Sequence, residues 1–165
     1  MSKKRIGIYP GTFDPITFGH MDIIKRSLRI VDELIIGVAD NINKTSMFSI
    51  NERQKMIEYD TKFYFKKNFN KIHIMQIKGL LTDFSKKNKV NCIIRGLRAV
   101  SDFEYEFQMT GMNYQLQPFI ETIFLMSSEK SSFISSNFVK EVFQLGGNVS
   151  KFVSKNTIKN LKKNK

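Results

Sequence analysis

Apolar positions along the chain come in short runs, separated by longer stretches that carry a helical stripe. Positions 6–9 form a brief β-compatible run that stops at Pro10-Gly11, the pattern of a buried strand ending in a turn. Positions 21–31 put Ile24, Leu28 and Val31 on one face, with Lys25, Arg26 and Arg29 elsewhere, and predict an amphipathic helix. A second strand is predicted at 33–39 and a polar loop at 40–48. Ser49 and Glu52 then have the spacing of a capping box, opening a helix that runs to about Phe65. Further strands are predicted at 72–77, 90–94 and 122–126, with helices at 81–87, 101–116 and 154–162. Ser135 or Ser136 is placed to cap another helix, which Gly146-Gly147 would end in a left-handed turn.

Strands that alternate with helices imply parallel pairing through right-handed crossovers, with helices on both sheet faces. The pattern therefore predicts an α/β fold: one doubly wound, Rossmann-like domain over residues 1–165, with a five-stranded parallel sheet and a lysine-rich tail at about 159–165. In such sheets ligands bind beyond the carboxyl ends of the strands. Functional residues are expected in the loops there.

Composition changes this picture only in part. An apolar fraction of 41% plus nine glycines is enough for a core. The formal charge of +12 invites an anionic partner, but many lysines fall on helix faces or in the terminal stretch, where they are simply solvated. A nucleic-acid-binding module would draw on that charge and on the fifteen phenylalanines. Those residues mostly occupy helix-stripe positions suited to core packing, however, and no recognition motif of that class is visible. Cys92 is the single cysteine, which excludes an intramolecular disulfide and a cysteine-based zinc site. The run after the basic residues 1–5 is too short for a signal peptide, and no run approaches the ~18 residues of a membrane span. A cytoplasmic, soluble protein is expected, with neither membrane nor nucleic acid as partner.

Candidate chemistry lies at the predicted strand ends. Gly11-Thr12-Phe13-Asp14-Pro15, then Thr17-Phe18-Gly19-His20, lead from the first strand into the first helix. Backbone N–H groups at a helix start suit a phosphate, Thr12 adds a hydroxyl, and His20 can donate a ring N–H. Neither G-x-G-x-x-G nor G-x-x-x-x-G-K-[ST] is present, which disfavours a dinucleotide-dependent dehydrogenase and a P-loop kinase. Arg95 and Arg98 follow the fourth strand, three residues apart. His73 has no partner in the pattern and reads as structural, Asp14 as shaping its loop, and Cys92 as packing.

These residues carry a specific likeness. The run from Gly11 to His20 resembles the first signature, T/H-x-G-H, of the nucleotidyltransferase superfamily. Phe133-Ile134-Ser135-Ser136-Asn137-Phe138-Val139-Lys140 is similar to its second, with Asn137 where Ser or Thr is usual. Between them, Ile94-Arg95-Gly96-Leu97-Arg98-Ala99-Val100-Ser101-Asp102-Phe103-Glu104-Tyr105-Glu106 closely resembles a segment of the bacterial phosphopantetheine adenylyltransferases. The likeness covers nearly the whole chain in order. It implies transfer of the adenylyl group of ATP to 4′-phosphopantetheine, a late step of coenzyme A biosynthesis, with Mg²⁺ held mainly by phosphates and water.

By that resemblance Thr12, His20, Lys44 and Arg98 form the catalytic set. Thr12, Lys44, Leu81 and Arg95 meet the pantetheine substrate. Thr12, Phe13, His20, Gly96, Leu97, Arg98, Glu106, Ser131, Ser132, Phe133, Ile134, Ser135, Ser136 and Asn137 bind ATP. Lys44 is matched through its context with Met47 and Phe48, and Ser131 stands where the family often has an aromatic residue. No protein-held metal is implied. A homohexamer and coenzyme A as a feedback ligand are further implications of the family. The nearest rivals, a nicotinamide-mononucleotide adenylyltransferase or a cytidylyltransferase, share the two outer signatures. The arginine-rich segment 95–106 separates them from the preferred reading.

Overall fold

In the computed structural model, which describes residues 4–40, 45–98 and 100–164, the strands are β1 (Ile6–Gly11), β2 (Glu33–Val38), β3 (Ile72–Gln76), β4 (Cys92–Leu97) and β5 (Glu121–Met126). The helices are α1 (Phe18–Ser27), α2 (Ile50–Phe65), α3 (Leu81–Lys87), α4 (Val100–Leu116), α5 (Ser136–Gln144) and α6 (Lys155–Lys163), with a 3₁₀ segment at Lys66–Lys71. The strands form one sheet in the order β3-β2-β1-β4-β5, all parallel. The expected architecture is thus the observed one.

Chain direction across the sheet reverses between β1 and β4. After β1 the chain steps outward through β2 and β3, then returns to place β4 on the other side of β1. The crevice beyond the carboxyl ends of β1 and β4 is therefore the topological switch point.

One sheet face carries the larger core. There Ile24 and Ile23 of α1, Met56 and Ile57 of α2, Val139 of α5 and Leu161 of α6 close over Leu34, Ile36 and Ile94. A smaller core on the other face joins Ile8, Ile35 and Ile93 to Leu81 and Phe84 of α3. Alternation along β4 follows from this. Ile94 and Gly96 face α1, where a Cβ on Gly96 would meet Ile23 at 2.9 Å, and Arg95 projects to the opposite side.

Three details differ from the sequence-based expectation. The fourth strand starts later and continues through Leu97, because residues 95–97 pair with Phe124, Leu125 and Met126. Arg95, Gly96 and Leu97 are strand residues, not loop residues. The first helix begins three residues early, since Thr17 caps it and His20 completes a capping box in the place usually taken by Glu or Gln. Finally, of the phenylalanines expected to pack inside, Phe13 and Phe48 are fully buried, whereas Phe63, Phe103, Phe107, Phe119, Phe133 and Phe138 are exposed. α4 accounts for much of this, its Tyr105, Met112 and Tyr114 also facing outward.

Other local expectations agree with the structure. Ser49 and Glu52 form their capping box, Ser135 caps α5, and Gly146, at φ 85°, ends α5 as Gly147 N–H reaches back to the Val142 carbonyl at 2.8 Å. The 159–163 part of the lysine-rich stretch belongs to α6, anchored by the buried Leu161.

Candidate active site

A cleft of about 1120 Å³ opens at the switch point. Its walls include Thr12 and His20 from the β1–α1 turn and Arg95, Gly96 and Arg98 from β4 and its exit. Leu81 of α3, Glu106 of α4 and Ile134, Ser135, Ser136 and Asn137 at the mouth of α5 complete them. Four stretches of the sequence, around 12–20, 81, 95–106 and 134–137, thus meet in one place. Phe13 and Leu97 lie buried just behind the walls, and Ser131 is buried beneath them. Ser132 bonds the Glu129 carbonyl at 3.1 Å, and Phe133 points outward against Phe152, ring centroids 6.3 Å apart. Those last three residues are not brought into the cleft. Lys44 lies outside the described residues, although Asp40 and Thr45 on either side of its segment both line the cleft.

His20 is set by its own motif. The Thr17 backbone N–H donates to His20 Nδ1 at 3.0 Å, and His20 N–H returns to Thr17 Oγ1 at 3.4 Å. Because Nδ1 accepts a hydrogen bond, the proton of the neutral ring belongs on Nε2, and Nε2–H is the available donor. Burial against Phe13, at 5.0 Å between ring centroids, and the nearby charge of Arg98 push the imidazole down to about 4. At neutral pH the ring is an uncharged donor. Gly19 sits at a close approach: a Cβ there would come within 3.3 Å of the Ile134 carbonyl oxygen, so a larger residue would push the α1 mouth and the α5 mouth apart by a few tenths of an ångström.

Side-chain bonds then knit the two outer signatures together. Ser136 Oγ donates to the Pro15 carbonyl at 2.8 Å, and Lys140 Nζ meets Asp14 Oδ2 at 2.8 Å. Asp14, beside a cis bond to Pro15, also accepts the backbone N–H groups of Met47 and Phe48 at 2.9 Å each. Its expected loop-shaping role is what the structure displays. Phe13 holds φ 49°, an uncommon conformation for a bulky residue, fixed by edge contacts with Tyr9 and His20.

Across the cleft the cations already have partners. Arg95 pairs through Nε and Nη2 with both Glu106 carboxylate oxygens, the Nε bond being 2.6 Å, and its Nη1 donates to the Pro10 carbonyl at 3.1 Å. Arg98 Nε is 3.2 Å from Asp102 Oδ2. Tyr9 lies beneath, its phenol pushed up by burial. Every carboxylate lining the cleft therefore faces a cation of the chain: Asp14 with Lys140, Asp40 with Arg53, Asp102 with Arg98 and Glu106 with Arg95.

Sequence reasoning missed Tyr9, Asp40, Arg53, Tyr105, Met109 and the role of Lys140. Lys140 stood inside a quoted motif, so a charged residue one helical turn into α5 was a readable signal. Arg53 offered only its place on the inward stripe of α2, one turn before Met56 and Ile57. His73 sits at the far side of the sheet, half exposed, 3.5 Å from Glu33, consistent with the structural role expected of it.

The chain matches the family described as Cytidylyltransferase-like over residues 8–142. Over 135 residues it is 57% identical to a phosphopantetheine adenylyltransferase of Wolbachia sp. subsp. Brugia malayi, covering 82% of this chain and 78% of that relative. It is 50% identical, with 82% of each covered, to one of Pelagibacter ubique. Among solved structures, a Plasmodium falciparum nicotinic acid mononucleotide adenylyltransferase complexed with NaAD superposes with a TM-score of 0.73, covering 98% of this chain and 96% of that one. At 17% identity this last likeness concerns the fold alone. With both outer signatures meeting at the switch point, and relatives more than half identical over four-fifths of its length, this chain belongs to the phosphopantetheine adenylyltransferases of the cytidylyltransferase-like family.

Proposed function

We propose that the chain catalyses attack of the 4′-phosphopantetheine phosphate on the α-phosphorus of ATP, giving dephospho-coenzyme A and pyrophosphate. One observation carries the reading: residues of all three family segments line one cleft, whose volume of about 1120 Å³ lies just above the usual span of about 300–1,000 Å³ for a single small-molecule site.

The nucleophile arrives ionised. A phosphate oxygen forms the new P–O bond, the bond from the α-phosphorus to the bridging oxygen breaks, and pyrophosphate leaves with the electron pair. No protein nucleophile or general base is required, so catalysis is positioning and charge stabilisation. His20 Nε2–H, Arg98 and Lys44 serve the transferring phosphoryl group, while Thr12 sits between the two ligands. Arg95 receives the acceptor's phosphate and Leu81 its pantetheine arm. The α5 mouth, from Ile134 to Asn137, offers N–H groups to the nucleotide.

The reaction uses a divalent cation, Mg²⁺ in this proposal. Since each cleft carboxylate is engaged by a cation, the donor set suits an ion held by nucleotide phosphates and water, not a protein cage. When bound it would neutralise phosphate charge. The exposed apolar residues of α4 offer a surface for the subunit contacts a homohexamer would need, and the shared pantetheine moiety supports coenzyme A as a feedback ligand. No helix among the described residues is long and apolar enough to cross a membrane, which is compatible with a cytoplasmic enzyme.

Pyrophosphate release from ATP, measured with each acceptor in turn, tests the reading. Turnover with 4′-phosphopantetheine and not with nicotinamide mononucleotide is expected. The reverse preference would overturn it.

A further inference from the structure

Arg53 occupies a core position. Its side chain is 1% exposed, on the same inward stripe of α2 as Met56, Ile57 and Asp60. A helix packed for stability alone would place an aliphatic residue there, because a buried cation carries a desolvation cost. All three guanidinium nitrogens donate to partners among the described residues. Nε donates to the Phe48 carbonyl at 3.0 Å, and Nη1 donates to the Thr12 carbonyl at 2.8 Å and the Ala39 carbonyl at 2.9 Å. Nη2 pairs with the Asp40 carboxylate.

Those four acceptors belong to three chain segments. Thr12 is the turn after β1, Ala39 and Asp40 are the exit of β2, and Phe48 is the last residue before the α2 cap. Asp14 holds the Met47 and Phe48 N–H groups from the same side. One planar fork thus ties a cleft residue to both flanks of the stretch that contains Lys44 in sequence. A lysine ammonium, with three donors on one atom, cannot span the same set.

We infer that Arg53 is a positioning residue for adenylyl transfer, fixing Thr12 and the two flanks of the 41–47 stretch in register across the cleft. This rests on the adenylyl-transfer reading above. It touches neither substrate; it acts through the backbone of the loops that do.

The test compares the parent with Arg53→Lys and Asp40→Ala, reading steady-state kinetics and amide hydrogen exchange on peptides covering 9–14, 34–40, 45–50 and 92–97. For Arg53→Lys, kcat falls about 10–100-fold with KM for both substrates within about threefold, the pattern of misplaced reacting groups. Exchange rises in the first three peptides and stays unchanged in 92–97. Asp40→Ala, an exposed position, gives the same exchange pattern with a smaller loss of kcat. A folded Arg53→Lys with kcat within about twofold of the parent, or with unchanged exchange in the three loop peptides, overturns the inference. Should that variant not fold, unchanged exchange in Asp40→Ala overturns it instead. If the parent itself transfers no adenylyl group, the catalytic reading fails, and with it the positioning role.

Discussion

The two walls of the cleft are built on opposite plans. On the β1–α1 wall the functional groups are held by bonds that leave their working atoms free. His20 is locked through Nδ1 while Nε2 stays available, and Asp14, Lys140, Ser136 and Arg53 brace the backbone around it. On the β4–α4 wall the functional groups are themselves the bonded ones: Arg95 is gripped by Glu106, and Arg98 by Asp102. The first wall is preorganised and ready. The second must share its cations with, or release them to, an incoming phosphate, so ligand affinity there is set against an internal carboxylate. A preorganised donor such as His20 acts mainly on the rate, and a contested cation facing the acceptor, Arg95, mainly on binding, while Arg98 contributes to both.

That contrast can be broken experimentally. His20→Ala, and likewise Lys44→Ala, should leave folding intact and lower kcat at least about 100-fold, the scale of one lost transition-state donor. Losses below about tenfold in both would refute the assigned roles, and a loss that small for His20→Ala would remove the distinction between the walls. On the other side, Glu106→Gln keeps the shape but loses the charge that competes with an incoming phosphate for Arg95. It should lower KM for the pantetheine substrate about 3–10-fold and change kcat less, read from initial rates at saturating ATP. A control far from the cleft is His73→Ala, expected within about threefold of the parent in both constants.

The smallest effect concerns pH. With His20 held at about 4 in the folded chain, its donor form is already complete at neutrality. Between about pH 6 and 8 the His20-dependent part of kcat should vary less than about twofold. A fall of half or more centred near pH 6.5 would show an unperturbed imidazole. The same shift has a stability consequence of definite sign. An unfolded histidine takes up its proton near pH 6.5 and the folded one only near 4, so the unfolded state binds more protons in that window and stability declines as pH drops through it. Replacing His20 by Gln should flatten that decline in acid-dependent melting curves.

How much of this was legible in the sequence depends on the kind of bond involved. The alternation of elements, the caps at Ser49 and Ser135 and the glycine stop at Gly146 all rest on local periodicity and spacing, and they appeared as expected. Local spacing failed where pairing with a distant strand decided the outcome: residues 95–97 join β4 because β5 lies alongside. It failed again where a functional residue doubled as a cap, so that His20 moved the start of α1. For the site, motif residues such as Thr12, His20 and Arg98 do converge, while Ser132 and Phe133 turn away from the cleft in the same run that delivers Ile134. Arg53 was invisible because three of its four partners are backbone carbonyls, those of Thr12, Ala39 and Phe48, which no side-chain pattern encodes. The exposed aromatics of α4 escaped for a related reason, since a helical stripe reports amphipathicity without saying what covers it.

Adenylyl transfer as proposed requires both walls to hold their phosphates at the same time. Calorimetric titration of the purified protein with α,β-methylene ATP, followed by 4′-phosphopantetheine, measures this directly. The second ligand is expected to bind to the complex with the first, giving one of each per chain. Mutual exclusion of the two, or binding of only one under any order of addition, would contradict it.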